Sequence, residues 1–231
     1  VGKSRAYNLL KSEDVLSTLK SLKKLGVRIR YTKKFYEIYG NGLDGYKFKK
    51  NLIINAGNSG TLGRLIPALL IKSIKKIKLT GDKSLSRRDF SRVINPLTKF
   101  GVTFFPKNKK TLPLIIKGTN FVRPIKYFEN RGSAQCKSSV MLAALNSPGK
   151  TTIKAKKSRD HTEILFKILN IPIKIIKTKK YDYITVTGRK QFKSLDYNIP
   201  SDISSSSFFI VLTLLAKNSI LTIKNVNINP T

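Results

Sequence analysis

The sequence predicts an α/β protein assembled from a repeated unit, and three observations lead to that class. An amphipathic stretch ending in a Gly-Val turn occurs twice at a fixed distance, a small-residue turn before an apolar helix recurs in the same register, and a short alternating strand follows each such helix. The first stretch runs from Ser12-Glu13-Asp14 through Val15, Leu16, Leu19, Leu22 and Leu25, one helical face, to Gly26-Val27-Arg28-Ile29. Its copy lies 75 positions on, from Asp14 to Asp89: Arg87-Arg88-Asp89 leads through Phe90, Val93, Ile94, Leu97 and Phe100 to Gly101-Val102-Thr103-Phe104. Each predicts a helix with an acid in its first turn, a Gly at the C′ position and a strand beginning at the Val. A shorter third copy spans Ser158-Arg159-Asp160 to Asn170-Ile171, with Asn in the left-handed position.

The second element keeps the same offset. Gly57-Asn58-Ser59-Gly60-Thr61 precedes a helix over 62–70, and Gly132-Ser133-Ala134-Gln135-Cys136 precedes one over 138–145. Asp202-Ile203-Ser204-Ser205-Ser206 precedes a third over 208–215. Strands are predicted after these helices at 77–79, 152–154 and 221–223, and further strands at 52–54, 114–116 and 184–186. Three α/β units follow, with a boundary near Asn198-Ile199-Pro200 that assigns 1–198 to a first domain and 199–231 to the start of a second.

The composition sets outer limits. A chain of 231 residues that is 40% hydrophobic carries real cores, which excludes disorder over most of its length. Lys and Arg number 46 against 12 Asp and Glu, a net charge of +34 that by itself invites a polyanion such as nucleic acid. The longest apolar run, from Phe208 to Ala216, is about nine residues and holds Thr213, far short of the roughly 20 that span a bilayer, so no membrane partner is expected. With one Cys and one His, neither an intrachain disulfide nor a zinc site is expected, and a reducing, cytoplasmic setting fits. The chain opens on Val1 without a secretory leader and stops at Pro230-Thr231 after a strand-like run, so both ends are expected to be cut.

The small-residue helix starts are the candidate chemistry. Free N–H groups and the positive end of the macrodipole make such starts anion sites, and Arg64, Arg88, Lys137 and Arg159 accompany them at corresponding places in the repeat. Capping alone explains any one copy; three in register favour a small anionic ligand. Cys136 reads as a buried small hydrophobe, and His161 as a capping or surface residue with a ligand contact left open. The lysine runs at 72–78, 107–110 and 177–180 read as solvated faces, and Gly81-Asp82-Lys83-Ser84 lacks the spacing of a P-loop.

At these residues the chain resembles the 5-enolpyruvylshikimate-3-phosphate (EPSP) synthase family. Gly57-Asn58-Ser59-Gly60-Thr61-Leu62-Gly63-Arg64 is similar to the family's Gly-Asn-Ala-Gly-Thr-x-x-Arg, and Gly81-Asp82-Lys83-Ser84-Leu85-Ser86-Arg87-Arg88 to its Gly-Asp-x-Ser-Leu-x-x-Arg-Pro. Ser133-Ala134-Gln135-Cys136-Lys137-Ser138 resembles Ser-Ala-Gln-x-Lys-Ser, and the segments at 158–163 and 200–205 match two more. The resemblance implies repeated βαβαββ units in an inverse α/β barrel-like, two-domain enzyme of which mainly the first domain is present. It implies transfer of the enolpyruvyl group of phosphoenolpyruvate to the 5-hydroxyl of shikimate 3-phosphate, releasing phosphate, in chorismate and aromatic amino acid biosynthesis. By position, Gly60, Arg88 and Gln135 would bind phosphoenolpyruvate; Ser133, Ala134, Gln135, Ser158 and Arg159 would bind shikimate 3-phosphate; Arg64 and Lys137 would support them.

The same resemblance implies no metal or organic cofactor and a monomer. It also implies a general-base Asp outside this stretch, so that residues 1–231 alone are expected to give no turnover. Glyphosate competes with phosphoenolpyruvate in this family, and Gly60 stands where an added methyl is associated with insensitivity. Asp89 replaces the family's usual Pro, and the Lys-Ser pair at 83–84 belongs to the second motif rather than to the family's lead-in. UDP-N-acetylglucosamine enolpyruvyltransferase is the rival within this fold, but it expects a reactive Cys in a mobile loop. A basic nucleic-acid-binding protein is the rival from another class, without a supporting motif. Most lysines alternate with Ile and Asn, as an AT-rich genome would favour, and that accounts for the excess charge.

Overall fold

Ser12 starts the first helix as its type predicts, its Oγ accepting from the Val15 N–H. In the computed structural model, which describes residues 2–227 and 229, that helix belongs to a first unit of β1 (Gly2–Tyr7), α1 (Glu13–Lys24), β2 (Arg28–Tyr31) and β3 (Phe35–Gly40). The second unit comprises β4 (Leu52–Asn55), α2 (Gly60–Leu69), β5 (Ile77–Thr80), the single turn α3 (Lys83–Ser86), α4 (Ser91–Lys99), β6 (Thr103–Phe105) and β7 (Leu114–Lys117). The third repeats it as β8 (Lys126–Glu129), α5 (Ala134–Ala144), β9 (Lys150–Lys156), α6 (His161–Ile168), β10 (Ile173–Lys177) and β11 (Tyr181–Thr187). The chain continues into β12 (Asp196–Asn198) and α7 (Ile203–Leu215). The predicted ends at Val1 and Pro230-Thr231, and Ile228, lie outside the described residues.

Three four-stranded sheets result, ordered β12-β1-β3-β2, β4-β5-β7-β6 and β8-β9-β11-β10, and all have one pattern. An outer strand pairs parallel with the next, which pairs antiparallel with a third and that with a fourth. In the second and third sheets the parallel pair is β4 with β5 and β8 with β9, joined through α2 and α5. In the first, the parallel partner of β1 is β12, from the far end of the sequence. Both β4 and β8 lead directly into a small-residue turn and a helix, and β12 does the same into α7.

The sheets and outer helices close over α2 and α5. Leu25 from the end of α1, Leu97 from α4, Phe100 just after it and Phe166 from α6 join Ile54, Leu79, Leu114, Ile153 and Ile184 from the strands in one core. Leu19, Val27 and Ile29 form a smaller cluster under α1. Gly26, at φ +85, ends α1; a Cβ there would meet the Lys47 carbonyl oxygen at 2.5 Å, so both the backbone angle and the space select glycine. Gly101 and Asn170 close α4 and α6 with positive φ, as the repeat predicts.

Two expectations change, and α7 adds a finding. The alternation at 221–223 forms no strand; among the described residues it has no neighbouring strand to complete its hydrogen bonds, and the chain nearby makes a parallel bridge between Ser201 and Val226. Helix α4 begins at Ser91, so Asp89 falls before the first turn rather than in it; its carboxylate accepts from the Ser91 hydroxyl and N–H, and these bonds hold it below the ordinary carboxylate range. None of the residues of α7 is buried, and Phe208, Leu214 and Leu215 are each 79% exposed. No helix among the described residues is long and apolar enough to cross a membrane.

Tyr46 packs against both core clusters, and burial pushes its phenol up to about 12. A raised folded-state value favours the neutral phenol, so its stabilisation is present below the unfolded value of about 10 and is lost as pH rises through about 12. Denaturant stability should therefore fall between pH 10 and pH 12 in the native protein and fall measurably less in Tyr46→Phe; parallel profiles would contradict this.

Candidate functional site

Three helix starts are built by one local device. Ser59 Oγ accepts from the Leu62 N–H at α2, Ser133 Oγ from the Cys136 N–H at α5, and the Asp202 carboxylate from Ser204 and Ser205 at α7. The turn into α5 is further fixed by Glu129, buried at the end of β8, whose carboxylate accepts from the N–H groups of Arg131, Gly132 and Ser133. Asn55 does the same more lightly before α2, its Oδ1 accepting from the Gly57 N–H. Asp82 caps α3 through Leu85 and receives the Asn58 amide at 2.6 Å; those bonds, the Asn58 contact first, hold its carboxyl low.

Helices α2 and α5 run side by side in the same direction, because Thr61 meets Gln135 and Arg64 meets Ser139. Arg64 Nη1 donates to Gln135 Oε1 at 2.6 Å, Gln135 Nε2 donates to Thr61 Oγ1 at 2.8 Å, and Ser139 Oγ donates to the Arg64 carbonyl at 3.0 Å. Gly60 lies under two guanidinium groups: a Cβ there would sit 2.9 Å from Arg64 Nη1 and 3.1 Å from Arg88 Nη1. Burial, then the charges of Arg88 and Arg92, depress the pKa of Arg64, and its guanidinium stacks over Phe90 at 5.9 Å. Among the described residues neither Arg64 nor Arg88 has a carboxylate within ion-pair distance. Two unpaired guanidinium groups over a helix N-terminus make an anion seat.

Beside it opens a cleft of about 1210 Å³ between the starts of α5 and α6, closed on a third side by residues 202–204 together with Val226, Asn227 and Asn229. Ser133, Ala134, Gln135, Ser158 and Arg159 all line it, with Thr61, Lys157 and His161. Ser158 Oγ is buried with no protein partner, and Arg159 is exposed. His161, the first residue of α6, has its Nε2 2.8 Å from Asn227 Nδ2. Gln135 belongs both to this cleft and to the Arg64 pair, so it joins the two halves.

The sequence-derived residues thus gather in two adjoining places, with Gly60, Arg88 and Arg64 in one, and Ser133, Ala134, Ser158 and Arg159 in the other. Lys137 departs from the group of helix-start cations. Its side chain is 0% exposed and its Nζ lies 2.6 Å from Glu163 Oε1, so it presents no charge to the cleft. The apolar neighbours of Lys137 on α5 are buried with it, and a cation among them needs an acid from the next helix. Cys136 is buried in the same helix, which removes the mobile reactive cysteine that the rival enolpyruvyltransferase requires. The lysine runs are mostly at the surface, where Lys72 meets Asp44 and Lys177 meets Asp160. No group of three or more His, Cys, Asp or Glu placed to hold a metal occurs among the described residues. Sequence reasoning gave no role to Thr61, Glu129 and Glu163; Thr61 and Glu163 stand within the quoted motif segments, and the signal for Glu129 was an acid three residues before the Gly132 turn.

The chain is similar to known proteins of one family. The family model of EPSP synthase (3-phosphoshikimate 1-carboxyvinyltransferase) matches residues 1–231. The chain is 41% identical over 234 residues to the 3-phosphoshikimate 1-carboxyvinyltransferase of Petrotoga mobilis and 42% identical over 231 to that of Ruthia magnifica. These alignments cover 100% of this chain and 53% and 52% of the relatives, so the chain spans about half the length of the curated relatives it matches. A solved EPSP synthase from Acinetobacter baumannii superposes with a TM-score of 0.85 at 31% identity, over 99% of this chain and 51% of that one. The α/β fold, the repeat and the whole-length match give one conclusion: the chain belongs to the EPSP synthase family.

Proposed function

We propose that this chain forms the first-domain part of an enzyme that transfers the enolpyruvyl group of phosphoenolpyruvate to the 5-hydroxyl of shikimate 3-phosphate. Residues 1–198 make up that domain, and 199–231 begin the second. The observation that carries the reading is the position of Gln135, which lines the cleft at the start of α5 and also receives the Arg64 guanidinium over Gly60. Two anions seated side by side, each on a helix N-terminus, suit a reaction between two phosphorylated substrates. Phosphoenolpyruvate takes the place over Gly60, under Arg88, with Arg64 holding Gln135 in line. Shikimate 3-phosphate takes the cleft, its phosphate meeting Ser133, the backbone at Ala134, the free Ser158 hydroxyl and Arg159.

In the transfer, the methylene carbon of phosphoenolpyruvate gains a proton as the 5-hydroxyl oxygen attacks C2 and loses its own. The tetrahedral adduct then expels phosphate and returns a methyl proton, restoring the double bond. This chain contributes orientation and charge neutralisation; the proton-transferring groups are assigned to the second domain. The enzyme acts as a monomer in the cytoplasm and uses no organic cofactor or metal.

The full-length protein containing this chain should release inorganic phosphate only when both substrates are present, and glyphosate should compete with phosphoenolpyruvate. Release without shikimate 3-phosphate, or none at all, would overturn the assignment. Gly60→Ala places a methyl 2.9 Å and 3.1 Å from the two guanidinium groups and should raise the KM for phosphoenolpyruvate by about tenfold, which is about 1.4 kcal/mol, and weaken glyphosate inhibition alongside. Arg159→Ala should instead raise the KM for shikimate 3-phosphate by at least about tenfold. Equal changes in both KM values for either variant would argue against the two-seat arrangement.

A further inference from the structure

Lys137 is the one buried cation among the described residues, at 0% exposure one turn into α5. Withdrawing an ammonium from water is costly, and only close partners offset it. Its Nζ has two, Glu163 Oε1 at 2.6 Å on α6 and the backbone carbonyl of Ser158 at 3.4 Å. The next residue repeats the link, Ser138 Oγ lying 2.7 Å from Thr162 Oγ1. Two consecutive residues of α5 therefore grip two consecutive residues of α6, and the lysine also reaches the turn that leads into α6. That turn carries Ser158, whose Oγ is buried without a protein partner, and Arg159; both line the cleft.

An apolar pair would fill the same space without desolvating two charges, and stability alone gives no reason for the ion pair. An ammonium differs from an apolar side chain in that it donates to a particular carbonyl in a particular direction. Held by Nζ, the Ser158 carbonyl points into the protein and its side chain is left facing the cleft. We infer that the Lys137–Glu163 pair is a positioning device that aims Ser158 and Arg159 at a phosphate monoester, with neither Lys137 nor Glu163 touching it. The inference rests on the proposed function, since that reading supplies the phosphate ester.

The test compares binding of shikimate 3-phosphate, of shikimate without the phosphate, and of phosphoenolpyruvate to the full-length protein by titration calorimetry. The variants are Lys137→Met/Glu163→Leu, which replaces the pair by apolar residues, and Glu163→Gln, which leaves the lysine without its counter-charge. The double variant should fold, hold phosphoenolpyruvate within about threefold of the native value, and lose about tenfold to a hundredfold of the preference for shikimate 3-phosphate over shikimate, as a misplaced binding group does. Unchanged preference, or an equal fall for all three ligands, would overturn the inference and reduce the pair to a packing element. If the double variant does not fold, Glu163→Gln is judged by the same ratio. If the native protein binds no shikimate 3-phosphate, the failure lies in the proposed function, and the inference falls with it.

Discussion

The close parallel pairing of α2 with α5 is the constraint on which the rest of the structure depends. Helices in this arrangement bring the positive ends of two macrodipoles together, and Arg64 and Arg88 add two more positive charges at the same spot. Electrostatics alone would drive the helix starts apart. Packing holds them: Gly63 lets the Phe90 ring approach to 3.2 Å of where a Cβ would stand, and Ser139 ties its helix to the Arg64 carbonyl. Sheets and outer helices enclose the bodies of the two helices, while their starts open on the cleft. An anion at this end relieves the repulsion, so ligand affinity and helix packing draw on the same strain.

The distribution of the few acids is part of the same device. Of the 12 acidic residues, Glu129, Glu163 and Asp182 are buried in structural roles: one orders the turn before α5, one neutralises Lys137 and one holds Lys157. Others pin surface elements, such as Asp44 beneath Lys72 and Arg189. Among the described residues no carboxylate lies within ion-pair distance of Arg64, Arg88 or Arg159. The charge of +34 in this way becomes local chemistry, because a scarcity of carboxylates leaves the cleft arginines free for anions.

Much of this was legible in the sequence because the repeat is written in residues with local meaning. Ser12, Ser59 and Ser133 cap helices through their own side chains, and Gly26, Gly101 and Asn170 end them through backbone angles, so neither depends on distant partners. The strands β1, β3, β8, β10 and β12 escaped because they are mixed in polarity, with only partly covered faces; their identity comes from pairing. The stretch 221–223 misled for the converse reason: it alternates well yet has no partner. At the site, Gly60, Arg64, Arg88 and Gln135 announced themselves by motif. Lys137 stood in a motif too, but its burial and its pairing with Glu163 were not legible, since a cation at a helix start reads as facing the ligand until the acid opposite is known.

The first sheet has a temporal consequence. Its parallel pair joins β1 to β12 across 191 positions: the Arg5 N–H donates to the Asp196 carboxylate, and Asn8 donates to the Ile199 carbonyl. The second and third sheets are assembled from neighbouring segments and carry no such delay. During synthesis on a ribosome, β1 emerges well before β12 and is paired on both sides only once β12 has followed. Until β12 follows, it presents an open edge that invites association with other chains. The order of these elements therefore makes β1 wait for β12, and places the exposure to aggregation before the closure of this sheet.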